Sequence, residues 1–258
     1  MDEKQIQYED DMLIANDVAR AIEEDELVAY FHPMMDIESN SVVAAEALVR
    51  WTLDDGTVVP ACLFVPSLER THIIEGLDWV MAELVSSFLE STQGGLGCVP
   101  MSLNLSEQHA HDENFARKLL STLEWHGVDS VMVRAEFSAE KLLRAKDDLK
   151  DLFRSLVAND FIGTVDDFMS GPSELKDLHD LGVTVVKVTN RCWRGVSEDE
   201  LKRLVDTAAS LDMIICPEGV EEAHEVEVLR QAGFYFAQGF YYAKPMSPKD
   251  FTDFCAAH

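Results

Sequence analysis

The segment SVVAAEALVRW, residues 41–51, reads as a strand in which one carboxylate, Glu46, stands among valines, alanines and a leucine. A carboxylate in such a run is costly unless it is paired or bound to a metal. The same pattern returns further along. Asn104 interrupts Met101-Ser102-Leu103-Asn104-Leu105, and Glu136 follows Val131-Met132-Val133. Asp166 and Asp167 close an apolar run over 161–165, and Lys187 ends one over 183–186. Glu218 follows 213–217, and Gln238 follows Phe234-Tyr235-Phe236-Ala237. In barrels of alternating strands and helices, functional side chains come from the C-terminal ends of several strands.

Outward from these points, strands are predicted over 28–37, 41–51, 99–105, 131–137, 161–168, 183–188, 213–217 and 235–238. The first is expected to be broken at Pro33. Helices are predicted over 75–92, 115–126, 141–157, 173–180, 198–211 and 222–232, from apolar residues at helical spacing. The acidic stretch 1–27 also has helical spacing, so 1–25 is read as a lead-in helix or linker and 26–258 as the barrel domain. The alternation argues for parallel strands joined by crossover helices. A closed barrel and an open doubly wound sheet both fit it. No glycine-rich dinucleotide or phosphate-loop fingerprint follows the first strand, which weighs against the open nucleotide-binding sheets.

With 258 residues, 47% of them hydrophobic, the chain can bury a large core without disulfides. Its net charge of −27 repels nucleic-acid polymers and anionic membranes at long range. A small anionic ligand is still admissible where a metal or a few arginines meet it. The five cysteines lack CxxC spacing and read as small buried hydrophobes rather than zinc ligands. No run of 18 apolar residues and no signal peptide is legible, so the expected location is the cytoplasm.

Taken singly, each strand-end acid is more simply a helix cap or a surface ion pair. By the same reasoning Lys187 would serve a salt bridge and Asn104 a loop hydrogen bond. Their succession on consecutive strands is hard to explain that way. Five carboxylates on one rim would repel one another without cations, and hard oxygen ligands suit one or two Mg²⁺ or Mn²⁺ ions. Such ions suit phosphodiester hydrolysis.

These positions resemble the EAL family over nearly all of 26–247. Glu46-Ala47-Leu48-Val49-Arg50-Trp51 resembles the motif that names it, and Pro60…Phe64-Val65-Pro66 resembles its PxxFIP element. Ser102-Leu103-Asn104-Leu105-Ser106, Asp166-Asp167-Phe168, Lys187-Val188, Glu218-Gly219-Val220-Glu221 and Gln238-Gly239-Phe240…Lys244-Pro245 match its later motifs in order. The resemblance implies a (β/α)8 TIM-like barrel with one irregular strand. It implies hydrolysis of cyclic di-GMP to linear pGpG with Mg²⁺ or Mn²⁺. By match, Glu46, Asn104, Glu136 and Asp166 would hold the first metal and Asp167 the second. Lys187 and Glu218 would orient and deprotonate water. Arg50 would meet a substrate phosphate, His32 would lie beside the dinucleotide, and Gln238 beside the metal site. A homodimer and a regulatory domain or protein partner are compatible with it.

The chain also departs from the family pattern. His32 stands for Gln, Ala139 for the second Glu of Leu-Thr-Glu, Thr189 for the Asp of Lys-x-Asp, and Pro217 for Ala. Met169 replaces a glycine, which is expected to forbid a positive φ there, and Pro172 is expected to stiffen the same loop. The resemblance therefore leaves a second reading open: a weak or inactive barrel that senses cyclic di-GMP or binds a protein.

Overall fold

Short apolar strands and amphipathic helices do alternate, and a computed structural model describes them for residues 3–71, 73–145 and 147–258. Helix α1 (Glu3–Glu23) leads into strands β1 (Leu27–Asp36), β2 (Val42–Thr52) and β3 (Val58–Pro60). Helices α2 (Val65–Thr71) and α3 (Ile74–Ser91) precede β4 (Met101–Asn104) and α4 (Phe115–Trp125). Strand β5 (Val133–Ser138), α5 (Ala139–Arg144), α6 (Asp147–Ala158), β6 (Ile162–Phe168) and α7 (Pro172–His179) follow. The chain ends through β7 (Val185–Val188), α8 (Asn190–Trp193), α9 (Glu198–Ser210), β8 (Ile214–Pro217), α10 (Ala223–Ala232), β9 (Phe236–Gln238) and α11 (Pro248–Ala257). No described helix is long and apolar enough to cross a membrane.

The strands run in the order β8-β7-β6-β5-β4-β2-β1-β9, with β3 beside β2. Five parallel pairings carry the sheet from β2 to β8. Strand β1 is antiparallel to both β2 and β9. The result is a nearly closed eight-stranded barrel with a seam between β8 and β9. Strand β1 is the one irregular strand that the family resemblance implies; the alternation of elements argued only for parallel strands. Only a few residues separate β1 from β2, which is too short for a crossover and admits only a hairpin. Pro33 does not break β1; it lies opposite Ala45 inside the ladder, and the irregularity falls between Met34 and Met35.

Backbone bonds close the seam. Val220 donates to the carbonyl of Gln238 at 3.2 Å, and Tyr241 donates to the carbonyl of Val220 at 2.9 Å. The two strands approach so closely here that a Cβ on Gly239 would lie 2.2 Å from the Val220 oxygen and 2.3 Å from its nitrogen.

Alternation on each strand sorts the core into two zones. Outward residues such as Phe31, Ala47, Leu103, Phe137 and Val186 pack against the helices in one continuous cluster. Inward residues form only a small apolar plug of Met34, Ala44 and Cys216. The rest of the lumen is polar: Glu46, Ser102, Arg134, Glu136, Thr164, Lys187 and Gln238 are all buried. Of the five cysteines, only Cys216 is buried and Cys62 is exposed, so the expectation of five buried thiols fails.

Helix α1 packs on the barrel through Ala15, Val18 and Ala21, and Arg70 of α2 grips its Asp11 through two bonds of 2.6 Å. Residues 1–2 of the expected lead-in lie outside the described residues. The helix expected over 141–157 is two helices, with Ala145 extended between them. Lys146 lies outside the described residues. The break gives α6 an acidic first turn, Asp147 and Asp148, where the helix dipole favours negative charge.

His126, after α4, donates from Nδ1 to Glu90 and from Nε2 to Glu83, both at 2.7 Å. Both ring nitrogens can donate only in the protonated ring, and the two carboxylates raise its pKa above 6.5. A raised folded-state pKa stabilises fully below about pH 6.5 and ceases to do so as pH rises through the folded value. His126→Gln should therefore cost about 1 kcal/mol at pH 6, or roughly 2–4 °C in Tm, and less at pH 9. Equal costs at both pH values in thermal melts would refute the protonated clamp.

Candidate active site

Glu46 lies in the middle of β2, opposite His32 of β1, and points into the lumen. Glu136 of β5 pairs in register with Asn104 of β4. Asp166 sits where β6 loses register with β7, between Val165 and Phe168. Oxygens of Glu46, Glu136 and Asp166 lie within 4.8 Å of one another. Lys187 of β7 is fully buried among them. Its Nζ donates to Glu46 at 2.7 Å and Glu136 at 2.8 Å, and meets Glu218 at 3.0 Å.

Burial alone would push the Lys187 ammonium toward neutrality. The charges of Glu136, Glu218, Glu46 and Asp166 outweigh it and hold Lys187 protonated, above the ordinary lysine range. Burial pushes Glu136 up to about 8, against Lys187 and with the help of Glu46 and Asp166. Burial likewise drives Glu218 well up. Asp166 resists its own burial: Lys187, a hydrogen bond from Glu218 and the Asp167 N–H hold it below the usual range. The proton between Asp166 and Glu218 therefore rests on Glu218.

The other expected residues lie around this centre. Asn104 donates from Nδ2 to Glu46 at 3.1 Å. Gln238 is buried, with Nε2 at 3.3 Å from Glu46 and its oxygen unpartnered. His32 donates from Nε2 to the Ala243 carbonyl at 3.1 Å, and burial lowers its pKa to about 4, so the ring is neutral at pH 7. Arg50 is not drawn into the carboxylates; it donates to the Val49 carbonyl and lies 5.6 Å from the Tyr30 ring centroid. Asp167 is exposed on the rim and outside the convergent triad.

Two of the residues that depart from the family pattern, Met169 and Pro172, find ordinary explanations. The left-handed residue of the loop is Asp167, at φ 54°, and Met169 is not in that region. Pro172 occupies the first turn of α7, where its fixed φ suits a helix start. Thr189 begins α8, and its hydroxyl is buried without a partner. Glu140 pairs with Arg144 instead of reaching the loop after β6. Sequence reading missed the buried pair Asp78 and His109; on α3, Asp78 is one of several polar residues, and nothing in the spacing marks it as buried.

A cavity of about 250 Å³ opens onto Asn104, Glu136, Asp166 and Asp167. A divalent cation suits this donor set. One oxygen of Glu136 is buried without any partner, beside two further carboxylates within coordinating reach. Hard oxygen donors of this kind favour Mg²⁺ or Mn²⁺ over softer ions.

A family model described as the EAL domain matches residues 15–245. Among curated relatives, the probable cyclic di-GMP phosphodiesterase PdeB of Escherichia coli (strain K12) is 25% identical over 242 residues, covering 92% of this chain and 46% of PdeB. The oxygen sensor protein DosP of the same organism is 26% identical over 241 residues, covering 89% of this chain and 30% of DosP. The chain spans less than half the length of these relatives. The PaMucR phosphodiesterase, solved as a c-di-GMP complex, superimposes with a TM-score of 0.80 at 21% identity, covering 92% of this chain and 99% of that one. The FimX EAL domain of Pseudomonas aeruginosa, solved bound to c-di-GMP, gives 0.79 at 19% identity, covering 92% and 96%.

Proposed function

Because the chain belongs to the EAL domain family, we propose that it is a metal-dependent phosphodiesterase that opens cyclic di-GMP to linear pGpG. The observation that carries this reading is the convergence of Glu46, Glu136 and Asp166 around a protonated Lys187, with Glu218 beside it.

Glu46, Glu136 and Asp166, with Asn104, would hold the first cation, and Asp167 would serve a second from the rim. The bound cation supplies Lewis acidity to the phosphate and lowers the pKa of water. Hydrolysis adds water across one P–O3′ bond: the oxygen goes to phosphorus and one proton to the leaving 3′ oxygen. Glu218 carries a proton directed at Asp166, which binding of a cation would displace; as the carboxylate it would then take the proton from the attacking water. Lys187 fixes Glu46 and Glu136 by donating to both and pairs with Glu218, and being cationic it cannot itself be the base. Arg50, on the same strand as Glu46, would turn from the Val49 carbonyl to a phosphate; an arginine fork suits that partner. His32 stays neutral; with its one N–H on the Ala243 carbonyl, it would offer Nδ1 to the ligand edge as an acceptor.

A second reading, a barrel that binds cyclic di-GMP without cleaving it, draws on Asp167 standing apart from the triad and on Thr189 offering a hydroxyl in place of a carboxylate. One experiment separates them. The protein is incubated with cyclic di-GMP and Mn²⁺, pGpG is followed by chromatography, and Glu46→Ala is the control. Turnover should fall at least about 100-fold in Glu46→Ala, since even residues that merely support metal ligands cost about 10–100-fold. Binding without product in the wild type would favour the sensor.

A further inference from the structure

Outside the carboxylate centre, one buried ionisable pair lies close enough to act on it. Asp78 of α3 and His109, in the turn after β4, are both buried. His109 Nε2 and Asp78 Oδ2 lie 2.9 Å apart. The same oxygen accepts the backbone N–H of Ser106 at 2.9 Å. The His109 ring stacks on Phe115 at 3.9 Å and meets Trp79 edge-on. Buried pairs of this kind often add little stability over apolar residues of similar volume, so the pair calls for a geometric explanation.

Ser106 stands two residues after Asn104. Leu105, between them, donates its N–H to the Glu136 carbonyl at 3.0 Å. Asn104 is therefore held on three sides: by Leu105 to β5, by Ser106 to Asp78, and by its own Nδ2 to Glu46. Asp78 also lines the cavity onto which Asn104, Glu136, Asp166 and Asp167 open.

We propose that Asp78 and His109 are positioning residues for the cation site: they lock the backbone after β4 so that Asn104 gives its Nδ2 to Glu46 and keeps its Oδ1 for the cation. The inference rests on the assignment of Asn104 to that site and needs no turnover to be tested. Free Mn²⁺ is measured by electron paramagnetic resonance during titration of the wild type, Asp78→Asn, His109→Gln and His109→Phe. His109→Phe should weaken Mn²⁺ binding about 10-fold, the size of effect expected for outer partners of metal ligands, whereas Asp78→Asn, whose amide oxygen can still accept both bonds in the place of Oδ2, should stay within about twofold. His109→Gln, whose amide can still donate to Asp78, should stay within about twofold of the wild type, since that donated bond is what orients the carboxylate. His109→Phe with a lowered melting point but wild-type Mn²⁺ affinity would show a merely structural pair and overturn the inference. If Asp78→Asn fails to fold, the two His109 variants decide. A wild type that binds Mn²⁺ but forms no pGpG would sink the phosphodiesterase reading and leave this one standing. A wild type that binds no Mn²⁺ would overturn it.

Discussion

Lys187→Met is expected to lower stability by about 3–5 kcal/mol at pH 7, the range found when one partner of a buried ion pair is removed. The methionine fills the space, so the loss is electrostatic. Lys187 is the cation that Glu46, Glu136 and Glu218 face within 3.0 Å. It lowers the pKa of Glu136, Asp166 and Glu218 alike. Without it those carboxyls bind protons still more tightly in the folded state, while their unfolded values stay near 4. A raised folded-state pKa contributes stability at low pH and loses it as pH climbs from the unfolded value through the folded one. The melting-point gap between wild type and variant should therefore be small at pH 4–5 and widen through pH 8. Added Mn²⁺ should narrow it, because a divalent ion replaces the lost positive charge. A gap independent of pH would contradict the electrostatic account and point to packing alone.

The second large effect belongs to Gly239→Ala, with a cost of about 3–5 kcal/mol and a Tm lower by roughly 2–4 °C for each kcal/mol. The new methyl would strike the Val220 backbone at 2.2 Å, and backbone atoms held by hydrogen bonds to Gln238 and Tyr241 cannot step aside as a side chain can. Relief requires parting Val220 from Gln238 and Tyr241, which opens the seam. Gln238 borders Glu46 there, so any pGpG formation should fall along with the melting point. A melting point within 2 °C of wild type, which is under about 1 kcal/mol, would mean that the seam is softer than this geometry requires.

Much of the site was legible because inward carboxylates in apolar strands have few physical excuses. Glu46, Glu136, Asp166, Lys187, Glu218 and Gln238 all meet in the lumen. Arg50 and Asp167 do not join them, and nothing in their spacing could have said so: a rim side chain's direction depends on the loop above it. The hairpin of β1 and β2 was readable in principle. Period-2 alternation is the same in parallel and antiparallel strands, but the few residues between 36 and 42 allow only a reversal. Asp78 and His109 were not readable, since a polar residue on a buried helix face shows no period of its own. Met169 was expected to forbid a positive φ at its own position, and it has none; the left-handed residue of that loop is Asp167, where β6 interrupts its register, and nothing in the sequence singled it out.

The antiparallel partnership of β1 with β9 also bears on how the chain is assembled. Met34 faces Gln238 and Asp36 faces Phe236, so the last ladder to form sets β9 against the first strand of the sheet. A ribosome emits β1 long before β9. Throughout that interval β1 keeps one unpaired edge, the kind of surface that recruits foreign strands. The lumen's charges stay hydrated until the ring shuts, so their desolvation is deferred to the final closure. Contacts of such long sequence separation are the slow ones in folding. A transcript cut short before β9 would yield a sheet with an open flank and a wet, repulsive interior.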